Sequence, residues 1–266
     1  MPPRDQQDID AGIQRYYGDV FDESARLTTR SAQGPLEFLR TQEIIRAHIP
    51  AGRIADIGGG TGVHAAALSR DGYGVELVEP VPRHVEAARA AGVSARLGDA
   101  RKLPFADTSF DGALLLGPLY HLTSAEDRLL ALREAFRILH PGGVVLAAGL
   151  SRYIAFGAMS LGESIPDPLP PEWGELISTG TPTGTLRFPA GHFHTAEELG
   201  EELERAGFEL LEVAGVEGPA GLFLETAADL DVDLRDAALM LARAASCVPG
   251  IRDQSAHLVA IGRRPA

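Results

Sequence analysis

The chain has 266 residues, 45% of them hydrophobic and 23% charged, with a formal net charge of −13. Such a composition builds an ordinary globular core. The lone Cys247 excludes an internal disulfide or multi-cysteine metal site, and 13 acids against two bases between Thr195 and Asp236 leave no basic stripe for a nucleic acid. The polar opening MPPRDQQDID does not resemble a secretory signal, and no apolar run reaches the ~18 residues that span a membrane. A cytoplasmic protein without a membrane partner is expected, as a monomer or homodimer.

Residues 1–50 are expected to form a helical cap segment. Residues 51–150 then alternate short β-branched runs with helical patterns. Arg53–Ile57 reads as a strand, Gly62–Arg70 as a helix and Val75–Glu79 as a second strand. Pro82 opens a second helix, and Val93–Leu97 is a third strand. Asp111–Leu116 is continuously apolar, as a strand covered on both faces should be. Ser124 caps the next helix, which ends at His140-Pro141-Gly142-Gly143, and Val144–Ala148 is a fifth strand. This alternation predicts a doubly wound parallel α/β sheet. Residues 151–193 break the rhythm. They carry six of the 18 prolines and the aromatics Tyr153, Phe156, Trp173, Phe188 and Phe193, and are expected to form a lid insertion. Residues 194–266 return to the core: a helix capped by Thr195 and Glu198, a strand over Phe208–Val216, a helix over about Asp229–Ser246 and a last strand over Ala256–Gly262.

The segment Asp56-Ile-Gly58-Gly59-Gly60-Thr61-Gly62 joins a strand to a helix through a glycine-dense turn. Such a turn lets the backbone approach a ligand closely. Asp56, Glu79 and Asp99 end the first three strands, at the carboxyl edge where open α/β sheets bind ligands. Glu79 is placed to take two ribose hydroxyls, and Asp99 an adenine amino group. The loop also fits a dinucleotide fingerprint, Gly60-Thr-Gly62-Val-His-Ala65 with Glu79 beyond it. Against that, Asp56 would repel a pyrophosphate and attract an ammonium. An amino acid joined to adenosine, S-adenosylmethionine, satisfies all three acids.

The motifs D-I-G-G-G-T-G, L-V-E-P, G-D-A-x-x-L-P-F-x-D-x-S-F-D and L-R-E-A-F-R-I-L-H-P-G-G resemble those of class I S-adenosylmethionine-dependent methyltransferases across residues 53–149. The resemblance implies a Rossmann-like, mostly parallel seven-stranded sheet with an antiparallel last strand. It implies S-adenosylmethionine as cofactor, held by Asp56, Gly58, Gly60, Gly62, Glu79, Pro80, Asp99 and Ala100, with Leu116 and Gly117 beside them. Tyr17 and Arg26, in the segment before the first strand, are expected to close over the donor through cation–π and carboxylate contacts.

In-line methyl transfer places the acceptor just past strand four. His121 is the candidate general base there and Tyr120 its neighbour; His121 could equally position the acceptor or cap a helix. Tyr16, Tyr153, Trp173, His192 and His194 are candidate substrate contacts, with one histidine of the His-x-His pair facing the cleft. Two histidines are too few for a metal, so none is expected. His48, His64, His84, His140 and His257 are read as structural. The expected enzyme methylates a small, partly apolar acceptor in secondary metabolism, on oxygen before nitrogen or carbon. A peptide or protein methyltransferase, marked by an open acidic groove, and a non-catalytic S-adenosylmethionine-binding protein are the alternatives.

Overall fold

The computed structural model describes residues 6–17, 26–28, 31–154, 171–182, 191–226 and 232–266. Alternating apolar strands and amphipathic helices assemble one seven-stranded sheet. In chain order its strands are β1 (Arg53–Ile57), β2 (Gly74–Glu79), β3 (Ser94–Leu97), β4 (Phe110–Leu115), β5 (Leu139–Leu150), β6 (Glu209–Gly215) and β7 (His257–Arg263). Their order across the sheet is β3-β2-β1-β4-β5-β7-β6. The first five run parallel, and β7 lies antiparallel between β5 and β6. The chain reverses its direction of travel at β1, so the crevice beside β1 and β4 is a switch point of the kind that receives ligands.

Nine helices flank the sheet among the described residues: α1 (Gln6–Arg15), α2 (Gln33–His48), α3 (Val63–Arg70), α4 (Pro82–Ala90), α5 (Ala125–Ile138), α6 (Glu172–Thr179), α7 (Ala196–Arg205), α8 (Gly221–Glu225) and α9 (Val232–Ala245). One core layer packs α5 and α7 on β4, β5 and β7 through Leu132, Ile138, Leu199 and Leu203. The opposite layer packs α2, α3 and α4 through Ile45, Leu68 and Val85. Both faces are therefore covered, which explains why β4 is apolar apart from the exposed Asp111 near its start.

The expected caps form. Ser124 Oγ accepts from the Asp127 N–H at 3.0 Å, and Thr195 and Glu198 make a reciprocal capping box. β5 is longer than expected, because the strand starts at Leu139 and takes in His140-Pro141-Gly142-Gly143 as an irregularity, with Gly142 at a left-handed φ of 82° and a register shift against β4. Within 151–193 the proline-rich sequence conceals α6, whose Trp173 and Leu176 are buried. Phe156 and Phe188 lie outside the described residues.

Candidate functional site

A cavity of about 330 Å³ opens at the carboxyl edge of β1, β2 and β4. β1 delivers Asp56 to it, and the glycine turn follows. Gly58, Gly60 and Gly62 take φ values of 69°, 56° and 80°, in the left-handed region that disfavours side chains. A Cβ on Gly58 would stand 2.7 Å from Pro118, so the turn also depends on close packing against the segment after β4. Gly58, Gly60, Glu79, Pro80, Asp99, Ala100, Leu116 and Gly117 line the cavity with Asp56, as do Tyr17 and Arg26. Gly62 is not among the lining residues. It caps α3, and its missing Cβ leaves room for Ala88 at 3.2 Å.

The acids differ in environment. Asp56 is buried, and no described residue hydrogen-bonds its Oδ2. Burial first, and then the nearby charge of Glu79, push its carboxyl up to about 7. Glu79 is also buried, and its two oxygens accept from the Gly60 and Val81 N–H groups, each at 3.0 Å. Asp99 is half-buried. Arg101 grips both its oxygens, at 2.9 Å through Nε and 2.6 Å through Nη2. Burial works against its ionisation, but the Arg101 hydrogen bonds outweigh that and hold its carboxyl below the usual range. Sequence reasoning missed Arg101, which lines the cavity and also reaches Asp10 and Asp127.

These groups suit a ligand that joins an ammonium to a nucleoside. A buried carboxylate without a hydrogen-bond partner is a site for a positive donor. The strand-end acids Glu79 and Asp99 add acceptor oxygens further along the same edge.

Helix α1 roofs the cavity. Asp10, Ile13, Gln14 and Tyr17 line it from above. Gln6 donates to the His121 carbonyl at 3.2 Å and accepts from the Thr123 N–H at 2.8 Å, while Gln14 donates to the Pro80 carbonyl at 2.8 Å. The helix is thus tied to loops following β2, β3 and β4 and covers part of the cavity.

Past β4, a short 3-10 turn over Pro118–His121 brings Tyr120 and His121 to the cavity wall. Tyr17 Oη lies 3.4 Å from His121 Nε2, and the Tyr120 ring sits 4.8 Å from that of His121. The expected substrate contacts are placed differently. Tyr16, Tyr153, Trp173, His192 and His194 are absent from the described cavity wall. Tyr153 is 51% exposed, and Trp173 is packed inside. The reading that one histidine of the His-x-His pair faces the cleft is corrected. His194 is fully buried, 3.4 Å from Glu202, which Arg128 holds at 2.8 Å. That buried carboxylate draws the imidazole inward. The His192 ring abuts His194 at 4.5 Å, and burial lowers its pKa to about 3.

His64, His84 and His257, read from the sequence as structural, all line the cavity. His84 lies 3.5 Å from Glu79, and His64 stacks on Phe38 with burial lowering its pKa to about 4. The strand-edge position of His257 was a signal for its placement, because an antiparallel last strand starts at the edge where the parallel strands end.

Comparisons with known proteins agree with this geometry. A family model described as "Methyltransferase domain" matches residues 55–147. The "Ubiquinone biosynthesis O-methyltransferase" of Azorhizobium caulinodans is 32% identical over 188 residues, 68% of each chain. The "Probable tRNA methyltransferase 9B" of Homo sapiens is 33% identical over 108 residues, 40% of this chain but 23% of that protein. Among solved structures, a "SAM-dependent methyltransferase, possible histamine N-methyltransferase" from Thermotoga maritima superposes with a TM-score of 0.63 at 21% identity, covering 96% of this chain and 99% of that one.

Proposed function

Because the chain belongs to the class I S-adenosylmethionine-dependent methyltransferases, we propose that it methylates a small, partly apolar organic acceptor, on oxygen in preference to nitrogen or carbon. The covered cavity carries this reading. One cavity of about 330 Å³ joins the glycine turn and strand-end acids to Tyr120 and His121, a size suited to a small molecule, with α1 over part of it. The ubiquinone-type relative, an O-methyltransferase by name, supports the preference for oxygen. The cover given by α1 favours a small molecule over a peptide laid in an open groove, and the tRNA-type relative shares too little of its length to argue for RNA.

In this proposal Asp56 faces the donor's ammonium, Glu79 its ribose and Asp99 its adenine, with the turn glycines against the amino-acid part. The donor supplies a methyl already activated on a sulfonium, so the proposed reaction needs no metal. Tyr17, from the cap segment, sits beside His121. His121 takes the acceptor proton where one must leave, and Tyr120 shapes the acceptor side. Residues 1–50 act as the cap and 151–193 as a lid. No helix among the described residues is long and apolar enough to cross a membrane; a cytoplasmic role in secondary metabolism is proposed with the rest.

The test is transfer of radiolabelled methyl from S-adenosylmethionine to small-molecule and macromolecular fractions of a cell extract. Label in the small-molecule fraction is expected. Label confined to protein or RNA would overturn the proposal.

A further inference from the structure

One charged cluster in the cavity contains none of Asp56, Glu79, Asp99 and His121; its Arg26, expected from the sequence at the donor's carboxylate, is paired with Glu37. His257 starts β7 and lines the wall with Ala148, Val216 and Val259, a small apolar surface at the β5–β7 side of the cavity. Its Nδ1 is 2.5 Å from Oε1 of Glu217, a carboxylate with no exposed surface. Glu37 of α2 stands 3.8 Å from the same nitrogen and is itself paired with Arg26 at 2.6 Å. His64 of α3 lies on the same side, and the Tyr120 ring is 6.4 Å away. No described residue hydrogen-bonds Nε2 of His257.

The sheet order gives this cluster its meaning. Asp99, Glu79 and Asp56 end β3, β2 and β1, and the cavity then crosses the ends of β4 and β5 before reaching β7. A donor held by the three acids lies on the β1–β3 side. His257 lies beyond Tyr120, on the side left for the acceptor. Resting on the methyl-transfer reading, we propose that His257, held by Glu217, is the subsite for the acceptor oxygen, and that this oxygen belongs to an acidic hydroxyl on an apolar ring, a phenol or enol bound in ionised form.

The chemistry follows from the pairing. Glu217 has no exposed surface, and a buried carboxylate calls for a cation beside it. Glu37 and Glu217 both face the imidazole and Arg26 pairs with Glu37 alone, so an imidazolium balances the second carboxylate. Burial opposes that charge, but Glu37 and Glu217 outweigh it and raise the imidazole to about 9. Nε2 therefore carries a proton at neutral pH and presents an N–H, which suits an oxygen and repels an ammonium. The hydroxyl's proton leaves to solvent on binding. The oxyanion then forms the O–CH3 bond as the S–CH3 bond breaks, the bond pair stays on sulfur, and no proton moves in the transfer step.

The test uses 4-nitrophenol as an optical probe of ionisation, with protein saturated by S-adenosylhomocysteine and chelator present. Bound to wild type, the probe should ionise about one to three pH units lower than in free solution, the usual effect of one facing cation. His257→Gln should abolish the shift and Glu217→Gln should reduce it, while S-adenosylhomocysteine affinity by calorimetry stays within about twofold. A probe that fails to bind wild type, or binds with unshifted ionisation, overturns the proposal. So does an equal shift in His257→Gln. A large loss of S-adenosylhomocysteine affinity in His257→Gln would assign the histidine to the donor instead. A shift that appears only with added divalent metal would assign Glu37, Glu217 and His257 to a metal site. Wild type that does not bind S-adenosylhomocysteine would fail the methyl-transfer reading itself, separately from the probe result.

Discussion

Glu79 reaches from the end of β2 to accept a hydrogen bond from the Gly60 N–H at 3.0 Å, so one carboxylate braces the glycine turn and borders the cavity. Glu79→Ala should weaken S-adenosylhomocysteine binding by roughly 1.5–3 kcal/mol, the scale of hydrogen bonds to a charged group. Glu79→Gln keeps an acceptor for Gly60 and should lose less. Calorimetry on both variants checks this; unchanged affinity in Glu79→Ala would mean that the ribose lies elsewhere.

Asp56 titrates at about 7 in the ligand-free protein because burial and Glu79 disfavour its charge. An ammonium brought beside it favours the ionised form. Donor binding at about pH 6 should therefore release protons, and the release should fade as pH rises above the shifted value. Calorimetry in buffers of different ionisation heat measures it. A raised carboxyl pKa costs stability as pH climbs from the ordinary carboxylate range towards 7. Asp56→Asn should therefore raise the melting temperature of the ligand-free protein at alkaline pH while lowering donor affinity.

His121 borders the cavity at the end of the 3-10 turn, within 3.4 Å of the Tyr17 hydroxyl. If it removes the acceptor proton, His121→Ala should lower turnover about 10²–10⁴-fold. His121→Gln separates basicity from hydrogen bonding. Activity retained in Gln and lost in Ala assigns positioning alone. For an acceptor that binds already ionised, as the His257 subsite requires, both variants should keep most activity.

Arg128 joins the buried Glu202 to the carbonyls of Leu122 and Thr123, at 3.1 and 2.9 Å. Removing one member of such a buried pair typically costs about 3–5 kcal/mol, so urea unfolding of Arg128→Met should show a loss of that order. Burial opposes the charge of Glu202, but hydrogen bonds from His194 and Arg128 outweigh it and hold the carboxyl down to about 2. Its stabilisation is present above the unfolded value of 4.5 and disappears as pH falls towards 2. Glu202→Gln should flatten the acid limb of the stability profile over that window.

The meeting of Asp56, the glycine turn and Glu79 at one end of the cavity was legible because these residues are local. Asp56, the glycine turn and Glu79 fall within one β-α-β unit, where periodicity and turn chemistry report position directly. The β5–β7 side of the cavity was not. His257, Glu37 and Glu217 come from β7, α2 and the end of β6, and only pairing across the sheet brings them together. His194 misled for the complementary reason. A histidine beside a loop looks available until Glu202 and Arg128, distant in sequence, draw it into the core. Helix α6 was hidden because prolines before and after it mask a short apolar period.

The most direct measurement is a crystal structure with S-adenosylhomocysteine bound. The nucleoside should lie against Glu79 and Asp99, the ammonium against Asp56, and the thioether sulfur should face Tyr120 and His121 under α1. A nucleoside bound at the β5–β7 side, or a sulfur turned away from Tyr120 and His121, would contradict the assignment of one covered cavity to both donor and acceptor.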